Sequence, residues 1–330
     1  MMPPELNTRS ESAAVGMHPQ LNLDGSVLTV VVIKQSFSIL PGRECVTAAG
    51  AEIRMVDDPW DPDAESSSIR YPTDVCLHKP GADVIVVGEA IARGEVAVPE
   101  LTVNIEVGPV KKALRVFGPR VWYKGLLGLT PSDPLPFVRR ELRWDYAWGG
   151  PDERRNPRGI GADAEPAALL GKPVACIEDP SNLIRTPKTR PNPAGVGAIG
   201  PDFAPRLHYA GTMNQRWQEE RAPLRPTDFD PRFFQAACPE MVVAAPFKGG
   251  EPVRIEGMHP EGTLAFALPK AWFGVAAEFD KGRQEYRPVL DTILIEPEAL
   301  SLDFTWRSVI PTPTQSTRLR AIEVWEKALA

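Results

Sequence analysis

Proline is the residue that most narrows what this chain can fold into, at 36 of 330 residues, twice the usual share of roughly 5%. A proline donates no backbone hydrogen bond and holds φ at one value. It therefore breaks helix interiors and central strands, and is tolerated in turns, extended segments and edge strands. The prolines follow no repeat, and the balance of 43% hydrophobic and 24% charged residues is that of an ordinary globular chain. A chain of this length buries about three quarters of its unfolded surface, so its core needs neither disulfide nor metal. The expected fold is mainly β, with sheets drawn from both ends of the chain and a long loop-rich middle.

Period-two alternation marks the strands. In residues 26–40, Val27, Thr29, Val31, Ile33, Gln35, Phe37 and Ile39 alternate with Leu28, Val30 and Val32. Apolar side chains on both faces place this strand inside a sheet. An apolar run follows at 84–88. A hairpin over 101–117 comes next, with Leu101, Val103, Ile105 and Val107 on one face and Gly108-Pro109 at the turn. Near the other end, 252–256 and 263–268 flank one turn, and 291–295 and 300–306 flank another. Residues 316–329 carry Leu319, Ile322, Trp325 and Leu329 at spacings of three and four, which predicts a C-terminal helix. Two short helices are expected in the middle: 164–170, capped by Asp163 and stopped by Gly171, and 231–237, capped by Asp230 with Pro231 at its first position. The chain thus divides into a flexible arm (1–20), an N-terminal β region (21–122), a loop-rich central region (123–246) and a C-terminal β region with its helix (247–330), packed as one unit.

Charge and patterning exclude several roles. The net charge of −6 lacks the basic footprint of a nucleic-acid binder. No apolar run reaches the about 18 residues of a membrane-spanning helix, so no membrane insertion is expected. The opening residues show no charged-then-apolar export signal, and the expected compartment is the cytoplasm. Cys45, Cys76, Cys176 and Cys238 are scattered and read as free thiols in a reducing compartment.

Motifs for chemistry are weak. Residues 195–200 match the glycine spacing of dinucleotide-binding turns, but Pro193 and Pro201 replace the strand and helix that such a turn needs. Cys76 and His78 stand two apart, whereas a zinc site takes three or four ligands; His18, His208 and His259 are isolated. Asp228-Phe229-Asp230 puts two carboxylates on one side of an extended segment, as a cation site would. A structural role suits them better, with Asp230 as a helix cap and Asp228 accepting N–H bonds or an arginine. No metal, nucleotide or other cofactor is expected. Trp122, Trp144, Trp148 and Trp217 cluster in the central region, where they form core under the loops, with one or two left as partner contacts.

A resemblance runs along most of the chain, from about Val27 to Ile310, and shows most plainly in its middle. Tyr71-Pro72-Thr73-Asp74, Lys79-Pro80-Gly81-Ala82-Asp83-Val84, Gly118-Pro119-Arg120-Val121-Trp122, Trp148-Gly149-Gly150, Asn156-Pro157-Arg158-Gly159, Pro205-Arg206, Gly211-Thr212, Trp217, Pro226-Thr227-Asp228-Phe229-Asp230 and the block 232–237 stand in one order along the chain. In that order they resemble the bacterial family catalogued as domain of unknown function twenty-one sixty-nine. The resemblance implies a role beside type VI secretion loci: an adaptor or chaperone that binds a cognate effector protein and helps load it onto the spike protein, with no catalytic residues. A hydrolase acting on cell-wall sugar or peptide and a carbohydrate-binding β module are the competing readings. Trp148, Gly149, Gly150, Asn156, Gly159, Arg206, Gly211, Trp217, Asp228 and Asp230 are expected to hold the loop region rigid, with Arg206 buried and paired, Asp228 being its expected partner.

Overall fold

The computed structural model describes residues 4–162, 165–311 and 318–327. At 41% strand and 8% helix the chain is mainly β. The strands of its three large sheets are β1 (Glu5–Thr8), β2 (Ala13–Leu21), β3 (Val27–Ser38), β4 (Val46–Ala48), β5 (Ala82–Val86), β6 (Glu100–Val107), β7 (Val110–Phe117), β8 (Ile177–Glu178), β9 (Val242–Val243), β10 (Pro252–Glu256), β11 (Leu264–Ala267), β12 (Phe273–Phe279), β13 (Gly282–Tyr286), β14 (Val289–Glu296), β15 (Ser301–Pro311) and β16 (Leu319–Glu326). The central sheet runs β9-β5-β14-β15-β3-β2, with β4 added to β3. A second sheet runs β8-β7-β6-β10-β11, and a third β1-β16-β12-β13.

Both ends of the chain build the central sheet. β15 pairs antiparallel with β3 from Ser301 opposite Ser38 to Pro311 opposite Leu28. β5 joins β14 in parallel, so everything between them in sequence forms the crossover. That crossover holds the second sheet and the loop-rich middle. Val30, Val31, Val32 and Ile33 are fully buried on both faces of β3, as their double apolar pattern requires. One continuous core joins the sheets, with Phe304 and Trp306 of β15 stacked edge-on at 5.5 Å and Phe273 of β12 against Trp306 at 4.9 Å.

Three sequence expectations are corrected here. Of the expected flexible arm, residues 4–20 are largely strand instead, because β1 pairs in parallel with β16 and β2 pairs antiparallel with β3 from Ala13 to Leu21; residues 1–3 lie outside the described residues. Pro19 fits because β2 is an edge strand, and the Ser10 and Ser12 hydroxyls each donate to Glu326 at 2.6 Å. The C-terminal helix is a strand, β16, inserted between β1 and β12. Its apolar spacing suits a helix, but Ile322 and Val324 are β-branched, and the sheet on either side supplies the hydrogen bonds. The two central helices are shorter and tighter than expected. Pro166–Leu169 and Pro231–Phe234 are single 3-10 turns, and Gly171 follows the first at φ +78°. Asp163, the expected cap, lies outside the described residues. Asp230 does cap its turn, accepting from Arg232 N at 2.9 Å. Two short α-helices were not among the expectations: α1 (Ala204–Leu207), with Pro205 in its first turn, and α2 (Gln215–Glu220), capped by Asn214, whose side chain accepts from Trp217 N. No helix among the described residues is long and apolar enough to cross a membrane.

Candidate functional site

A row of polar side chains crosses the central sheet. Strand register sets Asp83 on β5 beside Thr292 on β14, Thr292 beside Thr305 on β15, and Thr305 beside Lys34 on β3. The segment 74–79 lies over this row and is clamped to it. Asp74 receives Lys34 Nζ at 2.8 Å and Thr305 Oγ1 at 3.2 Å. Lys79 Nζ donates to Asp83 at 2.7 Å and to Thr292 Oγ1 at 2.8 Å. Arg307 Nε donates to Asp291 at 2.6 Å, and its Nη1 to the carbonyls of Asp74 and Cys76. Three carboxylates, Asp74, Asp83 and Asp291, thus face three cations, Lys34, Lys79 and Arg307, all buried. Burial works against the Lys79 ammonium, but Asp83 and Asp291 outweigh it and hold its pKa above the ordinary lysine value. Asp83 reaches further, accepting from Gln235 Nε2 at 2.7 Å and Ala236 N at 2.8 Å. The network therefore anchors the central loops as well as segment 74–79.

Beside this bed opens a cleft of about 690 Å³. Pro80, Ile199, Pro205, Tyr209, Val242 and Ala244 give it apolar walls. Gln235 ties it to the network, because its Oε1 accepts from Gly81 N at 2.9 Å while its Nε2 holds Asp83. Arg206, on α1, also lines the cleft and is only 8% exposed. It does not pair with Asp228. Its Nε donates to Phe233 O at 3.0 Å and its Nη1 to Ile199 O at 2.7 Å. Asp228 is exposed and instead closes a turn, accepting from Thr212 N at 2.9 Å and Thr212 Oγ1 at 2.7 Å. Those two bonds hold its carboxyl below the ordinary range. The expected pair fails because carbonyls of the packed loops reach the guanidinium first.

The other residues singled out in the sequence form two further knots. Asn156 is fully buried and donates to Trp144 O at 2.9 Å and Trp148 O at 3.2 Å. Gly149 and Gly159 press against it, and a Cβ on Gly159 would lie 2.4 Å from Asn156 Nδ2, so only glycine fits there. Gly150 follows at φ +152°, and Trp148 packs with Trp122, Leu169 and Val174 in a second small core. Gly211 sits at φ +78° against Pro226 and Asp228. Trp217 is half-buried on α2, donating from its indole to Leu224 O at 2.8 Å. Trp122, Trp144 and Trp148 are core, which leaves Trp217 as the candidate contact of the four. Cys76 is buried against Phe229 and Phe234 while His78 is exposed, so they do not converge. No cluster of metal-binding side chains occurs among the described residues. The glycine run 195–200 is buried irregular chain with a bend at Val196-Gly197, its Val196 O accepting from Val86 N and its Ile199 N donating to Ala236 O. It opens no helix.

One surface feature escaped sequence reading. Trp122–Gly125 and Gly128–Pro131 pair as a hairpin whose two tip residues are Leu126 and Leu127. Both leucines are fully exposed, at 105% of the reference area. Val121, Tyr123 and Leu135 add exposed apolar surface nearby in the chain. Trp122, buried in the second core, and the bonds Trp122 N to Lys172 O and Gly171 N to Trp122 O fix the base. The tip turn takes its unusual backbone at Gly128, φ +118°, and not at either leucine. The available signal was a Leu-Leu pair between glycines, where a solvated turn carries polar residues.

No curated protein and no solved structure matches the chain. The sequence model of a family described as "Uncharacterized protein conserved in bacteria (DUF2169)" matches residues 24–307. That stretch runs from the foot of β3 to Arg307 and takes in the buried ionic row, the cleft and the Leu126-Leu127 hairpin, and the chain therefore belongs to this bacterial family.

Proposed function

We propose that this protein is an adaptor or chaperone that binds a cognate effector of type VI secretion in the cytoplasm and helps load it onto the spike protein. In this reading it performs no chemistry of its own. The sequence resemblance supplies the secretion context, and the hairpin tip supports a binding role. Two adjacent leucines with no contact in the fold forgo burial worth about 1.5–3 kcal/mol each. Apolar side chains held out on a rigid base are what a partner's pocket takes up as anchors. The ionic row acts elsewhere, holding segment 74–79 and the Gln235–Ala236 loop rigid beside the cleft. Purification of the tagged chain from its native host is expected to recover one exported toxin in a stable complex, with or without the spike. Recovery of the chain free of any secreted toxin, under conditions where the secretion system is expressed, would contradict the proposal.

A further inference from the structure

We infer that the cleft at Arg206 binds an extended segment of the partner in which a carboxylate stands between aliphatic residues. This rests on the partner-binding reading and assigns it a second contact besides the hairpin. Three observations carry it. First, the Arg206 guanidinium is buried yet has no carboxylate within ion-pair distance among the described residues; its two protein hydrogen bonds go to carbonyls. A buried cation is ordinarily paired, and burial here pushes its pKa below the ordinary arginine value against the pull of Asp57 and Asp83. Secondly, among the described residues no Asp or Glu lines the cleft, and the other arginine there, Arg232, is already neutralised by Asp230 at 2.6 Å. Among the described lining residues Arg206 is thus an arginine without an ion-pair partner in a largely apolar cleft, and its complement is an anion with apolar neighbours. Thirdly, the about 690 Å³ of space lies within the range of small-ligand and side-chain pockets, roughly 300–1,000 Å³. It runs beside β9, the last strand of the central sheet, where an extended chain can lie.

A random linear dodecapeptide phage library panned on the full chain tests this without knowledge of the partner. Selected peptides are expected to carry Asp or Glu flanked by aliphatic residues. Their synthetic forms should lose at least about thirtyfold in affinity for Arg206→Gln, as expected when one member of a buried charge pair is removed, and retain more for Arg206→Lys. Ala244→Trp fills the cleft from an exposed position, leaves the buried network untouched, and should abolish binding with the melting temperature unchanged. Peptides without an acid, peptides indifferent to Ala244→Trp, or no enrichment at all would overturn the assignment. If acidic peptides bind the cleft but no toxin is recovered from the host, the adaptor reading fails alone. If a toxin is recovered and Ala244→Trp binds it with native affinity, the cleft assignment fails alone.

Discussion

Asp83→Ala is expected to destabilise the fold by about 3–5 kcal/mol, the usual cost of leaving a buried charge without its partner. Asp83 is 0% exposed and answers three donors: Lys79 Nζ, Gln235 Nε2 and Ala236 N. Removing it leaves the Lys79 ammonium, itself buried, with its hydrogen bond to Thr292 Oγ1 and the more distant Asp291 charge, and frees the loop that carries Gln235. Domains are stable by about 5–15 kcal/mol in total, so this one change takes a large share. Lys79→Met should cost less, since the carboxylate it abandons keeps two donors. The double variant should cost less than the sum of the single ones, with a coupling of roughly 1–3 kcal/mol. Urea unfolding of the four proteins measures all three quantities. A loss below about 1 kcal/mol for Asp83→Ala, or additive single costs, would show that the row across the sheet does not clamp segment 74–79 and the central loops.

The opposite signature is expected at the hairpin. Leu126→Ser combined with Leu127→Ser should leave stability within about 0.5 kcal/mol, because surface changes away from caps, cores and strained backbone rarely do more. Neither leucine contributes to the core or needs a positive φ. Affinity for the effector should fall by about 2–4 kcal/mol, or roughly 30- to 1,000-fold, as when central apolar anchors are removed from an interface. Calorimetric titration with the purified effector reads the loss, and a thermal melt reads the unchanged fold. Native affinity in the serine variant would remove the hairpin from the interface.

The strands legible from sequence are those whose alternation is long. β3, the β6–β7 hairpin, β10 and β15 all lie where the pattern of Val, Ile, Leu and Phe puts them. β16 misled because Leu319, Ile322 and Trp325 match a helical face as well as they fill a strand, and only the sheet on either side decides. β1 and β2 were hidden because their polar residues and Pro19 suit an edge strand and a loose arm equally. The candidate site was less visible. Asp83, Thr292, Thr305 and Lys34 become neighbours through the register of four strands whose positions span most of the chain. Of the three buried ion pairs, Lys79 and Asp83, four apart, are the pair close in sequence. Their one local trace is polar residues inside otherwise apolar strands, such as Lys34 after Val30–Ile33. Arg206 and Asp228 were matched by charge alone, and the loop carbonyls that satisfy Arg206 have no side-chain signature. Glycines 149 and 159 were readable as close approaches, and Asn156 is what they approach.

Delivery of the cognate effector in a strain lacking this gene, measured while firing of the secretion sheath is followed by microscopy, tests the central claim most directly. The adaptor account predicts that the sheath assembles and contracts as in the parent, that delivery of this one effector falls to background, and that the wild-type gene restores it while the Leu126→Ser, Leu127→Ser double variant does not. Normal delivery of every effector in the deletion strain would contradict it.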